Sequence, residues 1–210
     1  MNAEFCRGDP CGRLHRLMRQ SKNLRTFAPK NCSTMNEFFP SSVWQYCPWC
    51  GAKSFRAGDE NNMQCGDCLK KFYINASGAV VCIIENAQGE ILFSRRAFEP
   101  AKGMLDLPGG FVSLDETAED AVIREIKEEL NLDVVSMQYI CSAPNRYLYG
   151  GILYFTIDLG FKCVVTDFTN MLAADDVAGY VFLTRSRIQF QEIGFPSIRQ
   201  ILQVYLNGKI

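Results

Sequence analysis

The hydrophobic pattern first takes strand form between residues 79 and 97. Val80 to Ile84 is apolar and mostly β-branched, "NAQGE" carries turn chemistry and "ILFSRR" resumes a strand. "GAVVCIIENAQGEILFSRR" therefore reads as strand, turn, strand. "LDLPGGFV" at 105–112 reads as a further short strand pair around a Pro-Gly-Gly bend. The period then lengthens. A helix is predicted from about Glu116 to Leu130, with capping candidates in "SLDETAED" and early acids that suit the positive helix end. Asn131 takes the position after it, where left-handed backbone is needed. At roughly 100° per residue, Val122, Ile123, Ile126 and Leu130 form the core-facing arc. Glu125, Glu128 and Glu129 form a second arc beside Ala118 and Ala121. A last helix falls near Pro196–Leu206, with Ile198, Ile201, Leu202 and Tyr205 on one face and Pro196 suited to its start. Strands mixed with helices in this order predict an α/β fold.

The longest apolar run, "AVVCII" at 79–84, is strand length and falls short of the roughly 18 residues of a membrane span. No apolar segment suited to secretion opens the chain, so a cytoplasmic protein without membrane contact is expected. The 210 residues, 48% hydrophobic and 21% charged, suffice for one core plus a small module. Charge is uneven. Residues 1–34 hold seven Lys/Arg against Glu4 and Asp9, and the remainder holds 15 basic and 21 acidic residues. That first segment lacks an apolar period. It reads as a disordered basic tail, as an organelle transit peptide, or as sequence ahead of a true start at Met35.

Four of the ten cysteines share one pattern: "CPWC" at 47–50 and "CGDC" at 65–68, two Cys-x2-Cys pairs fourteen residues apart. Two such turns on adjacent hairpins can give an ion four thiolates, so Cys47, Cys50, Cys65 and Cys68 are read as a structural zinc site with no coordination position left for catalysis. A redox Cys-x2-Cys needs no second pair, and two disulfides are seldom kept without secretion. Cys82, Cys141 and Cys163 sit in apolar runs and read as buried thiols. Residues 51–64 hold two basic and two acidic residues, a poor electrostatic footprint for nucleic acid.

The acidic helix poses the sharper question. Seven of the 24 residues from 109 to 132 are acidic, and Glu125 has Glu129 rather than a base at i+4. That pair costs a few tenths of a kcal/mol in a bare helix, roughly the usual like-charge penalty. A divalent cation with oxygen ligands reverses the sign; a solvated acidic face is the alternative.

The spacing Gly110-x5-Glu116-x7-Arg124-Glu125-Ile126-x-Glu128-Glu129-x-Asn131-Leu132 closely resembles the box of the Nudix hydrolases. One position departs: the family's late Gly is Asn131 here, at a capping position rather than a ligand. "RRAFEPAKGMLDLPGGFV", "APNRYLYGGILYFTIDLGF" and "FQEIGFPSIRQILQVYL" also look like family segments, and the resemblance covers roughly residues 44–207. It implies an α/β/α sandwich with a mixed sheet, preceded by a small β zinc ribbon. The expected organisation is a basic extension at 1–38, disordered or not translated, a ribbon at 39–75 and a catalytic domain at 76–210.

The ribbon-plus-box order is similar to that of NADH pyrophosphatases and of ADP-ribose and FAD pyrophosphatases. "SAPNRYLYGG" stands where the NADH group carries a Ser-Gln-Pro-Trp-Pro-Phe-Pro array, which argues against NADH as preferred substrate. The resemblance implies cleavage of a nucleoside diphosphate linked to another moiety by water attack at phosphorus. It implies Mg2+ or Mn2+ on Glu125, Glu128, Glu129 and the Gly110 carbonyl, with Glu125 as base and Asp175 or Asp176 as the alternative. Arg124 with Glu116 would orient the box. The sole histidine is His15, so the chemistry rests on carboxylates. Arg95 or Arg96, of which only one can face the site, would meet phosphate, and Phe98 or Tyr147 would stack on a base. The expected partner is a small nucleotide, not nucleic acid, and a homodimer is expected because many relatives are dimers. A nucleotide-sensing or nucleic-acid-binding regulator is the reading from another class, and the intact glutamates weigh against it.

Overall fold

The computed structural model describes residues 36–58, 61–172 and 177–208, which belong to one unit running from Met35 to Ile210. After a short helix α1 (Pro40–Val43), strands β1 (Phe55–Ala57), β2 (Asn62–Cys65) and β3 (Lys71–Tyr73) form a small antiparallel sheet. Its core is only Cys47, Phe55, Met63 and Cys65, so two of its four buried side chains are candidate ligands. A ribbon with so little apolar interior depends on a cross-link or an ion for its stability.

The chain then enters β4 (Ser77–Ile84), β5 (Ile91–Arg96) and β6 (Leu105–Asp106), followed by helix α2 (Ala118–Leu130). Two long strands come next, β7 (Val134–Tyr149) and β8 (Ile152–Val165), joined by Gly150 and Gly151, both at positive φ as a tight hairpin turn requires. β9 (Val177–Leu183) and helix α3 (Pro196–Leu206) complete the fold. One sheet has the order β4-β8-β7, with β4 parallel to β8 and β7 antiparallel; the other has the order β6-β5-β9, all antiparallel.

Alternation along β4 explains the layers. Val81 and Ile83 enter a core with Ile198, Ile201, Leu202 and Tyr205 of α3, while Val80, Cys82 and Ile84 enter another with Ala121, Val122, Ile126 and Leu130 of α2. β5 divides likewise, Ile91 and Phe93 to the first and Leu92 to the second. A strand buried on both faces reads as a continuous apolar run, which is why 80–84 is apolar throughout. The result is the expected α/β/α sandwich with a mixed sheet.

Two local expectations change. β4 and β5 share only a single bridge, Glu85 with Ile91, although Asn86 does close the turn by accepting from the Gln88 and Glu90 amides at 3.0 and 2.9 Å. Residues 105–112 do not pair with each other. β6 pairs with β5, whereas 108–112 lies along the outer edge of β4, whose Val80 and Cys82 amides each donate at 2.8 Å to the carbonyls of Gly110 and Pro108. Amides buried on that edge need acceptors, and the Pro-Gly-Gly segment supplies them. Among the described residues no helix is long and apolar enough to cross a membrane.

Candidate active site

Helix α2 starts two residues later than expected. Thr117 is its N-cap, its hydroxyl accepting from the Asp120 amide at 3.1 Å. Asn131 adopts φ 54°, ψ 33° and its amide donates to the Lys127 carbonyl at 3.0 Å. The Tyr180 hydroxyl donates to the Glu129 carbonyl at 2.9 Å and the Leu172 amide to that of Leu130 at 3.1 Å, so the helix end is satisfied from neighbouring segments. The inward face differs from the arc drawn on the sequence. Ile123 is 48% exposed, whereas Ala121 is fully buried with Val122, Ile126 and Leu130. The buried stripe is thus centred nearer Val122 and takes in the flank that carries Glu125 and Glu129. Small residues at 118 and 121 let that flank approach β4.

Glu116 lies before the helix, and its amino-acid neighbours turn it back onto it. Its carboxylate accepts from the Ser113 amide at 2.8 Å and from Arg124 Nε and Nη2 at 2.7 and 2.9 Å. This bidentate fork, with the Ser113 amide, holds Glu116 down at a pKa of about 2. Arg124 also donates to the Phe111 carbonyl at 3.0 Å, to Glu125 at 2.7 Å and to Glu128 at 3.1 Å. One guanidinium therefore ties the loop after Gly110 to the acidic face.

Glu125 and Glu129 are half-buried and Glu128 is exposed. The Gly109 amide donates to Glu129 Oε2 at 3.1 Å. A Cβ on Gly110 would lie 2.6 Å from Glu125 Cδ and 2.7 Å from its Oε2, so Gly110 is the cradle in which that carboxylate sits. Gly109, at φ 143°, faces backbone instead, with a Cβ overlapping the Val80 carbonyl. Burial pushes the Glu125 carboxyl above its ordinary range despite Arg124. Glu125, Glu128 and Glu129 share one helix flank and are oxygen donors of the kind a hard divalent cation takes, but Glu125 and Glu128 are both drawn to Arg124, and among the described residues only the four cysteines bring their ligand atoms together as a group; the Gly110 carbonyl uses one lone pair on Val80 and keeps the other.

Glu125 and Glu129 line a cavity of about 290 Å³ together with Gly110, Arg96, Asp106, Tyr147, Asp158 and Phe195. Arg96 bonds Asp106 Oδ2 at 2.9 Å, the Pro100 carbonyl at 2.7 Å and the Tyr147 hydroxyl at 3.3 Å, and its guanidinium lies 5.0 Å from the Phe195 ring centre. Arg95 points the other way, into a second cavity of about 520 Å³ with Leu183 and Arg187 that no glutamate of α2 lines, and donates to the Gly103 carbonyl at 2.6 Å. Strand alternation thus separates the two arginines. Tyr147 stands in the first cavity, edge-on to Phe111 and 5.7 Å from Phe195. Phe98 is 63% exposed and lines neither cavity. Asp175 and Asp176 lie outside the described residues.

Three cavity residues escaped the sequence reading. Asp106 pairs with Arg96; Asp158, 4% exposed, accepts from the Thr156 hydroxyl at 2.7 Å; Phe195 precedes α3. Burial raises the pKa of both aspartates. The available signal was an acid inside an apolar strand run, as in "FTIDLGF", since a buried carboxylate needs a reason.

The four ribbon cysteines converge, their sulfurs all within 4.8 Å of one another and the Cys47–Cys68 and Cys50–Cys65 pairs at 3.6 Å. Tetrahedral bonds of about 2.3 Å give sulfur–sulfur edges of roughly 3.7 Å, so the set fits one ion. The Ser54 hydroxyl, 3.5 Å from Cys65 Sγ, and the Cys68 amide, at 3.4 Å, lower the Cys65 thiol to about 6.

The NUDIX domain family model matches residues 76–200. The NAD-capped RNA hydrolase NudC of Vibrio atlanticus is 28% identical over 127 residues, covering 60% of this chain and 46% of that protein. The ADP-ribose pyrophosphatase of Methanocaldococcus jannaschii is 44% identical over 89 residues, covering 40% of this chain and 52% of that one. The chain spans about half the length of these curated relatives. Among solved structures, a NUDIX hydrolase from Nitrosomonas europaea superposes with a TM-score of 0.58 at 22% identity, covering 78% of this chain and 91% of that one, a likeness of fold.

Proposed function

The chain belongs to the NUDIX family, and from that premise we propose that it hydrolyses the phosphoric anhydride of a nucleoside diphosphate linked to another moiety, ADP-ribose or FAD. One observation carries the reading: α2 delivers Glu125 and Glu129 to a cavity whose other walls hold Arg96, Asp106, Tyr147 and Asp158. Mg2+ or Mn2+ held on Glu125, Glu128, Glu129 and the Gly110 carbonyl would neutralise the diphosphate and lower the pKa of the attacking water. Arg96, anchored by Asp106, offers fixed positive charge to a phosphate. Tyr147 and Phe195 offer ring faces to a base. Glu125, whose affinity for a proton is raised by burial, is the first candidate to take the water's proton, and Asp175 or Asp176 the second. Arg124 and Glu116 hold the box together without touching substrate. Zn2+ on the four cysteines would be structural, since every tetrahedral position is filled by protein.

The likeness to a relative named ADP-ribose pyrophosphatase supports ADP-ribose as the first substrate to try. Relatives named NAD-capped RNA hydrolases place NADH and NAD-capped RNA in the same panel. The test is hydrolysis by the purified chain with Mg2+ or Mn2+, reading AMP by chromatography for the free nucleotides and nicotinamide mononucleotide for NAD-capped RNA. AMP from ADP-ribose or FAD, abolished by Glu128→Gln, is expected. Thermal stabilisation by a nucleotide without turnover of any substrate would instead mark a sensor.

A further inference from the structure

We propose that the outer surface of the ribbon, around its two Cys-x2-Cys turns, binds single-stranded nucleic acid. The inference is independent of the hydrolytic reading. Tyr46, Trp49 and Phe72 are 62%, 47% and 40% exposed. Trp49 sits between Cys47 and Cys50, so the cluster that holds the cysteines also fixes the ring's position. Phe72 lies 5.6 Å from Trp44 and 6.5 Å from Trp49, ring centre to ring centre, so the three rings make a continuous aromatic row.

Two of the exposed rings, Trp49 in the row and Tyr46 beside its Cys-x2-Cys turn, each carry a cation. Lys70 Nζ lies 5.7 Å from the Trp49 ring centre and Lys53 Nζ 5.9 Å from that of Tyr46. A ring face beside an ammonium group is the pairing a nucleotide needs, base on the ring and phosphate on the cation. Protein-binding patches are depleted of lysine at their centres, so two lysines set against the exposed rings favour a polyanion over a protein.

The charge count on residues 51–64 missed this because it stopped before β3. Over residues 44–74 the basic residues are Lys53, Arg56, Lys70 and Lys71, against Asp59, Glu60 and Asp67. The net charge of this stretch is therefore +1; Asp67 accepts from the Ser54 hydroxyl, and Asp59 and Glu60 lie outside the described residues. Arg56 and Lys71 share Gln64 as their cross-strand partner, but alternation along β3 sets that basic row on the sheet face opposite Phe72, so the cations of the aromatic surface are Lys53 and Lys70. Bases stacked inside a duplex cannot reach exposed rings, so the ligand class is single-stranded.

The full chain, with its metal content measured, is titrated into short labelled oligo(U), oligo(dT) and a duplex, followed by fluorescence anisotropy. Single strands are expected to bind more tightly than duplex, and more weakly as salt rises from about 50 to 200 mM. Trp49→Ala and Lys70→Glu should each weaken binding by roughly tenfold with metal content, melting temperature and nucleotide hydrolysis unchanged. A preference for oligo(U) would point to contacts with the ribose hydroxyl, and equal binding to stacking alone; both support the proposal. Absence of single-strand binding at low salt, or binding untouched by both substitutions, would overturn it. So would self-association that Trp49→Ala removes, which would assign the surface to a second copy of the chain.

Discussion

Adjacent glycines make the most discriminating test of the site, because a methyl group on each meets a different obstacle. On Gly110 it would overlap Glu125 Oε1, the oxygen hydrogen-bonded to Arg124, and lie 2.6 and 2.7 Å from Cδ and Oε2, against the far end of a side chain. Glu125 can swing away, losing its 2.7 Å bond to Arg124, so the fold should lose only about 1 kcal/mol. The carboxylate, however, is pushed by the better part of an ångström, and a misplacement near 1 Å can cost about 10²-fold in rate. On Gly109 the obstacle is the Val80 carbonyl and backbone at φ 143°, neither of which can move without breaking the edge of β4. Overpacking and a glycine-only conformation together cost about 3 kcal/mol, which for a unit of this size lowers Tm by roughly 6–12 °C. Gly110→Ala should therefore melt close to wild type while kcat for nucleotide hydrolysis falls about 10²-fold, and Gly109→Ala should melt well below it. Differential scanning calorimetry and steady-state kinetics on both variants check this. Wild-type turnover in Gly110→Ala, or equal melting of the two variants, would refute the assignment of Gly110 as the cradle of Glu125.

Further predictions follow the same geometry. Glu116→Gln should lower Tm at pH 7. Because Glu116 titrates lower in the folded chain than in the unfolded one, its stabilisation is present above the ordinary carboxylate pKa and is lost as pH falls through about 2, so the gap in Tm should close under acid. Arg96→Ala should raise KM or lower kcat sharply, while Arg95→Ala, on the opposite face of β5, should leave both within about twofold; equal effects would contradict the alternation. A zinc chelator should strip one metal per chain and abolish amide protection in β1–β3, with β4, β5 and α2 staying protected by hydrogen exchange; a ribbon that keeps its protection without metal would show that the cysteines are not its anchor.

The chemistry of individual positions was legible in the sequence, and their assembly less so. Asn131 and Pro196 announced helix ends through local backbone preference, and the cysteine spacing announced the thiol cluster; the start of α2 was legible only as a stretch of capping candidates, and Thr117, the one used, sits two residues later than the spacing suggested. Ile123 misled because an apolar arc drawn on one helix weighs only hydrophobicity, whereas the real interface tilts to seat Glu125 and Glu129 against Gly109 and Gly110. The Pro-Gly-Gly segment read as half of a hairpin because its true partner, the outer edge of β4, lies about thirty residues away and is specified by tertiary pairing. Asp106 and Asp158 were passed over for a related reason. Asp106 is accounted for by Arg96, ten residues away on the neighbouring strand, whereas Asp158 bonds Thr156 only two residues along β8, and what hid it was that the sequence does not show that face of β8 to be buried.

Strand β4 has a consequence for how this chain can change length. Its odd positions belong to one core and its even positions to the other, and its outer edge carries the carbonyls of the glycine segment. Deleting or adding one residue there would send every side chain to the wrong layer and move the cradle of Glu125 along the edge by one step. Gly150 and Gly151 face no such bookkeeping, since a Cβ on either would meet open space. Insertions should accumulate at that turn, and β4 should keep its eight residues however far the rest of the sequence drifts.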